Sequence, residues 1–520
     1  RQVLAEQREL NVQRPFMEEL ERSTRAVWAR NGSKEHADWL RVTLGIASGM
    51  RQRTLALEAK RDGVHGLIAG GTGSGKSEML MTMIIGLALN YSPDILNFVL
   101  VDYKGGGAFK PFERLPHCVD IVTNLNKSAV ARMFSAITAE MMRRQKLNAD
   151  TATKDIIEYR RKGLHLTHAP FPHLFIIIDE YAEMIDDNPD YKAELESITR
   201  VGRSIGVNLV LASQRPKGVT DQMRANIKLR LCLRVEETDT SRELLRKPDA
   251  AYLPNGVPGR GYLQIGNDNM ELLQVSYTGE TQPDDREPAV LWPTRDGDQS
   301  RATGEDLPKL YDAVVNLACE LRQGQMAPKP WPAFLPQQLS LQSPIVDAQR
   351  NRTWTLTHQV SDWLNGDSAG LWPGVDWASE VMRPVAGLVD NPMAAQQFPL
   401  QLDLTRHLAV LGDSGWGKTS MLRTLITALA ATHSPDELHI YVADLGGHNY
   451  RSIEDFPHVG TVVYGTPAVE AGRVFVGDME GAVHAIDRKT GKLAWSQRHA
   501  TYSIEMPTVL HNGIILVGAW

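Results

Sequence analysis

Gly70-Gly71-Thr72-Gly73-Ser74-Gly75-Lys76-Ser77 decides the reading of this chain. The stretch follows a short apolar run at 65–69 and opens onto a helical pattern at 78–89. Strand, glycine-rich turn and helix therefore stand in the order that a phosphate-binding loop requires. The glycines let successive backbone N–H groups close on phosphate oxygens, and the helix N-terminus adds partial positive charge. Lys76 is spaced to reach the β and γ phosphates of ATP, and Ser77 to ligate Mg2+.

Further apolar runs at 97–101, 174–178 and 208–212 are short and β-branched, and each is followed by polar or Gly-rich residues. Helical patterns at 78–89 and 128–147 lie between them, which predicts an α/β domain with a parallel sheet covered by helices on both faces. Residues 1–39 read as helical, interrupted at Pro15 and at Asn31-Gly32. The run 174–178 ends on Asp179 and Glu180. At a strand's C-terminal end Asp179 would hold the metal shell, and Glu180 would orient and deprotonate an attacking water. Gln214 follows the run 208–212, at the sheet edge where ligands of such folds bind; it reads as a γ-phosphate sensor or as a polar loop residue. Arg132, Arg143 and Arg144 on the helix 128–147 either supply positive charge to a neighbouring active site or solvate a helix face.

The loop has a second copy, Gly412-Asp413-Ser414-Gly415-Trp416-Gly417-Lys418-Thr419. Lys76 and Lys418, Pro93 and Pro435, and Asp102 and Asp444 stand at one constant spacing, and Pro116-His117 returns as Pro457-His458 one residue out of step. Two copies of one nucleotide-binding domain begin here. Past residue 463 the pattern changes to alternating strand residues with tight turns, as in Asp487-Arg488-Lys489-Thr490-Gly491. A phrase beginning Thr466-Pro467 returns at Met506-Pro507, a period of about 40 residues, the spacing of propeller blades. The predicted organisation is a helical segment at 1–55, a complete domain at 56–280, a connecting region with some strands at 281–400, a truncated second copy at 401–463, and less than two blades at 464–520.

Composition narrows the function classes. The chain has 520 residues, 42% of them hydrophobic and 23% charged, with a net charge of -6. No global basic field exists to hold nucleic acid or an anionic membrane. Cys118, Cys232 and Cys319 are odd in number and far apart, which excludes a disulfide framework or zinc pattern and fits a reducing, cytosolic setting. The longest apolar run, 79–89, is shorter than the ~20 residues that span a bilayer. A start at Arg1 and an end at Trp520 inside a strand-like run read as a fragment.

The stretches 65–78, 97–106, 115–117, 201–207 and 211–215 resemble the FtsK/SpoIIIE group of P-loop motor ATPases, and within it the EccC-type ATPases of type VII secretion systems. The resemblance covers about 38–279 and resumes over about 407–463. It implies a RecA-like, Mg2+-dependent motor that hydrolyses ATP, assembles into a ring of six, and drives export of small helical proteins through a membrane complex. Such a motor is cytoplasmic and held at the cell membrane by partners, or by transmembrane helices that are absent from this chain. Carried over, Lys76 and Ser77 are Walker A, Asp179 and Glu180 Walker B, and Gln214 the sensor. Arg132, in the helix after Asn124-Leu125, falls where the family keeps its arginine finger, and Arg203 near the contact between successive motor domains. The second copy has Lys418, Thr419 and Asp444 but leaves the family pattern before any Walker B strand. The tail resembles a quinoprotein-type β-propeller repeat, too short to build a quinone or metal site. Two other functions stand beside export: a double-stranded DNA translocase, whose basic pore lining the acidic balance does not supply, and an ATP-binding ring scaffold without turnover.

Overall fold

The computed structural model describes residues 2–104, 107–123, 127–279, 309–327, 329–340, 343, 345–347, 352–354, 382–431, 433–444, 449–464, 468–470, 472–477, 481–498, 509–511 and 514–516. The chain divides into two compact units, Arg1–Pro332 with Pro392–Ala395, and Ala333–Asn391 with Gln396–Trp520.

The first unit is built on one ten-stranded sheet: β1 (Arg41–Ala47), β2 (Arg51–Ala56), β3 (Gly66–Ala69), β4 (Leu96–Asp102), β5 (Cys118–Thr123), β6 (His173–Asp179), β7 (Val207–Ser213), β8 (Leu229–Leu233), β9 (Arg260–Ile265) and β10 (Glu271–Val275). Every residue of β3, β4, β6 and β7 is buried. Continuous apolar runs condense in this way when helices cover both faces. The parallel half has the order β8-β3-β7-β6-β4-β5. Register aligns Asp102 of β4 with Asp179 of β6, so two carboxylates finish neighbouring strands at the same level.

The other half of the sheet departs from the predicted all-parallel arrangement. β9, β10, β1 and β2 continue it as an antiparallel wing beyond β8. Exposed Thr43 in β1 and Gln52 and Thr54 in β2 break the apolar pattern, so these half-buried strands carry no continuous hydrophobic run. Two other features also differ. The helix α1 (Gln2–Gly32) runs through Pro15 and ends at Gly32. A proline removes one intrahelical bond, and helix-forming residues on both sides carry the helix across it. Within the region predicted to connect two domains, the helix Leu310–Leu321 buries Val314, Val315 and Ala318 in the same core as Phe98, Leu100 and Phe175. Each such large side chain contributes about 1.5–3 kcal/mol on burial. The helices α2 (Lys76–Asn90) and α3 (Lys127–Asp150) start within two residues of their predicted positions.

The second unit repeats the front part of this plan. The helix Lys418–Ala430 follows the second glycine loop, and Ile440–Asp444 pairs in parallel with Val459–Tyr464 as β4 does with β5. Hydrogen bonds recur with the fold: Ala108 N donates to Asp102 Oδ2 in one copy and Asn449 N to Asp444 Oδ2 in the other. No strand forms over 407–411 ahead of the second loop, and Leu411 and Trp416 are 91% and 81% exposed. Val385–Asn391 and Gln396–Gln401 form a hairpin. Ala468–Glu470, Arg473–Gly477, Ala482–Asp487 and Leu493–Arg498 form a four-stranded antiparallel meander. Trp292-Pro293, Trp372-Pro373, Gly105-Gly106, Asn124-Leu125 and the Met506-Pro507 phrase lie outside the described residues.

Candidate functional site

β3 delivers the chain to Gly70 at the C-terminal edge of the sheet, and α2 leaves from Lys76. Between them the loop is fixed by its own backbone. Gly71 N donates to Arg234 O (2.8 Å), Ser74 N to Gly71 O (3.1 Å) and Gly259 N to Ser74 O (2.7 Å). Two glycines are required on geometry. Gly75 caps α2 at φ 91°, and a Cβ there would stand 2.7 Å from Gly259 N; a Cβ on Gly70 would stand 2.5 Å from Ser74 Oγ. Thr72 and Gly73 face solvent, while Gly71, Gly75 and Ser77 are half-buried. Ser74 Oγ is buried and has no hydrogen-bond partner among the described residues.

Lys76 is 7% exposed and turns its Nζ onto two carboxylates, hydrogen-bonding Asp179 Oδ1 and reaching Glu180 Oε1 at 3.0 Å. β6 places them: Asp179 is its last residue, and Glu180 is the cap of the helix Tyr181–Asp187. Glu180 holds a left-handed backbone at φ 57°, ψ 41°, a conformation of roughly 1–2 kcal/mol strain for a residue with a side chain. Asp179 Oδ1 also accepts the N–H of Glu180 (2.9 Å). Gln214, just past β7, donates its side-chain amide to Glu180 Oε1 (3.2 Å) and its backbone N–H to Glu180 Oε2 (3.4 Å).

The charges in this cluster have opposite fates. Burial pushes the Asp179 carboxyl above its ordinary range, against the pull of Lys76. Burial acts on Glu180 in the same sense, but Lys76, Lys104 and the Gln214 amide together hold it below the usual carboxylate range. The site thus presents an ionised carboxylate, a cation and the exposed loop residues Thr72 and Gly73 at one end of the sheet, a set that can bind an anion and take a proton from water.

Lys76, Asp179, Glu180 and Gln214 are brought together here. Arg132 is elsewhere, on α3, where its Nη2 donates to Pro332 O (2.8 Å), and Arg203 is exposed. Arg143 and Arg144 both close on Glu140. In the second copy Gly415 and Gly417 adopt φ 82° and 80°, as Gly73 and Gly75 adopt 74° and 91°. Lys418 nevertheless folds back on its own loop, donating to Gly412 O and Asp413 O (both 2.7 Å). Three residues of the first site escaped the sequence pattern. Gly259 and Arg234 tie the loop through backbone atoms, which leave no trace in residue type, and Lys104 follows β4 within the quoted stretch 97–106 without a role there.

The FtsK/SpoIIIE family profile matches residues 27–248 and 376–492. The chain is 35% identical over 446 residues to the type VII secretion system protein EssC of Staphylococcus aureus, covering 83% of this chain and 29% of that protein. It is 33% identical over 429 residues to the ESX secretion system protein EccC of Geobacillus thermodenitrificans, covering 80% and 28%. The solved cytoplasmic domain of the Thermomonospora curvata type VII secretion ATPase EccC superposes with a TM-score of 0.64 at 32% identity, over 84% of this chain and 46% of that one. The chain spans less than a third of the length of these curated relatives. Among the described residues no helix is long and apolar enough to cross a membrane.

Proposed function

The chain belongs to the FtsK/SpoIIIE family, and from that premise we propose that it is an ATP-hydrolysing motor subunit powering protein export in a type VII secretion system. One observation carries the reading: Lys76, Asp179, Glu180 and Gln214 converge at the mouth of a glycine loop whose Thr72 and Gly73 face solvent.

The residues present fit a magnesium nucleotide. The unpartnered Ser74 Oγ lies between Gly73 and Gly75, whose left-handed backbone disfavours any side chain, and a Cβ on Gly75 would also strike Gly259 N. Gly70, Gly71, Thr72, Gly73, Ser74 and Gly75 would wrap the phosphates, and Ser77 and Asp179 would hold Mg2+, which neutralises phosphate charge when bound. Lys76 exchanges its carboxylate partners for phosphate oxygens. Glu180, released from Lys76 but still held by Gln214, orients a water and accepts its proton, and Gln214 reports the γ-phosphate position. Arg132, once freed from Pro332 O, reaches the site of a neighbouring subunit in a ring of six.

The second loop, Gly412 to Thr419, is a second nucleotide-binding loop in this proposal, which the repeated glycine angles support. The boundaries near residues 400 and 463 stand as proposed divisions, whereas the boundaries expected near 55 and 280 give way, because β1 and β2 join the first sheet and the helix Leu310–Leu321 joins its core; the meander Ala468–Glu470 to Leu493–Arg498 supports a propeller-type blade. The motor works at the cytoplasmic face of the membrane, with membrane components and small helical export substrates as partners. Phosphate release by the chain with Mg2+ and ATP tests the reading. Turnover stimulated by a secreted helical peptide is expected; stimulation by double-stranded DNA instead, or no turnover with ATP bound, overturns it in favour of a translocase or a scaffold.

A further inference from the structure

Lys104 is the second residue beyond the end of β4 and is about half exposed. Its Nζ pairs with Glu183 Oε1 at 2.7 Å and stands 3.9 Å from Glu180 Oε1. Its neighbour Tyr103 donates a backbone N–H to Asp179 O (3.4 Å) and its hydroxyl to Asp187 Oδ2 (2.7 Å). The chain leaving β4 is therefore fastened to the last residue of β6 and to both ends of the helix Tyr181–Asp187. Lys104 is held beside Glu180 by this frame, and its ion pair with Glu183 is one part of it.

Four charged groups face or flank Glu180: Lys76 from α2, Lys104 from the segment after β4, Asp179 from β6 and Glu183 from the helix Tyr181–Asp187, with the neutral Gln214 amide from just past β7. Lys76 is engaged with Glu180 only while no phosphate claims it. Once it leaves, Lys104 is the cation within 4 Å among these groups, and like charges at Asp179 and Glu183 would push the carboxylate outward. We propose that Lys104 is a positioning residue for Glu180, keeping its carboxylate turned toward Gln214 and the attacking water after Lys76 has moved to the phosphates. The inference rests on Glu180 acting as the base in ATP hydrolysis. A lysine that served only as a surface partner for Glu183 would contribute almost nothing to turnover, because exposed ion pairs are weak and screened.

The test compares Lys104→Met, which keeps the aliphatic stem, with Lys104→Arg, which keeps the charge. The expected result for Lys104→Met is a kcat about tenfold to a hundredfold lower, with the KM for ATP within about twofold because Lys76 and the glycine loop are untouched. Lys104→Arg should recover most of the loss. A second readout is independent of turnover: the side-chain amide resonances of Gln214 should shift in Lys104→Met and stay near wild type in Lys104→Arg. If Lys104→Met turns over at the wild-type rate, or if arginine restores no more than methionine, the positioning role is wrong. A wild-type chain without ATP turnover would defeat the proposed function instead, and the Gln214 resonances would still decide whether Lys104 controls Glu180. Should Lys104→Met fold poorly by thermal unfolding, Lys104→Gln replaces it in both measurements.

Discussion

His458 repeats, in the second unit, the hydrogen bond that His117 makes in the first. Each Nε2–H donates over 2.7 Å to a backbone carbonyl, that of Tyr91 in one copy and of His433 in the other. Each histidine's own carbonyl then receives the N–H of the preceding strand, from Phe98 at 2.8 Å and from Ile440 at 2.7 Å. The duplicated Pro-His pair is thus a structural pin that joins the loop after the P-loop helix to the next two strands. Burial depresses the basicity of both rings.

That burial makes the first unit sensitive to acid. His65 and His117 are fully enclosed, and desolvation lowers each to about 4 from an ordinary 6.5. The unfolded chain therefore takes up more protons between those values. Stability should be undiminished above pH 6.5 and fall progressively as the pH drops toward 4. Thermal unfolding against pH measures the slope, and His117→Gln, which keeps a donor for Tyr91 O, should make it shallower. A slope unchanged by that substitution would remove His117 from the account.

Lys76→Met should destabilise the nucleotide-free protein as well as abolish phosphate binding. It strands two buried carboxylates side by side, and breaking a buried ion pair costs about 3–5 kcal/mol. Adding Asp179→Asn should return much of that stability without restoring activity. Denaturant unfolding of the two variants gives the comparison, and a double variant no more stable than the single one would show that charge is not the cause.

Gly75→Ala meets both a backbone at φ 91° and the nearby Gly259 N. The substitution should cost about 1–2 kcal/mol from the left-handed backbone, more if the loop shifts, and should weaken ATP binding far more than Gly32→Ala, where nothing lies within 4 Å. Nucleotide titration of both variants distinguishes a local loop effect from general loss of fold.

Leu317→Ala should destabilise the first unit by about 2–5 kcal/mol, since Leu317 is 2% exposed on the helix Leu310–Leu321. A chain ending near residue 280 should lose comparable stability. If such a shortened chain unfolds at the same temperature as the full one, this helix is dispensable to the core.

The strands and the loop that build the first site were legible because their signals are local. β3, β4, β6 and β7 are unbroken apolar runs, and the glycine spacing is dictated by phosphate geometry. Asp179, Glu180 and Gln214 could be read from their places at strand ends. What escaped arises from pairing across the sheet. Polar residues such as Thr43 and Gln52 disguise half-buried strands, the Lys76 ion pair depends on β6 lying one strand away from β3 across β7, and Lys104 gains its place only when β4 lies next to β6. The helix Leu310–Leu321 has a clear apolar stripe, but the break in βα rhythm before it concealed that it returns to the first core.

The bond from Gly259 N to Ser74 O gives the antiparallel wing a mechanical meaning. β9 starts one residue beyond Gly259, and the glycine loop ends one residue beyond Ser74. The wing therefore meets the glycine loop directly, in addition to its pairing with β8 and the bond from Thr82 Oγ1 on α2 to Ser276 O beyond β10. A displacement of that edge of the sheet is thereby coupled to the backbone of the loop that leads into Lys76.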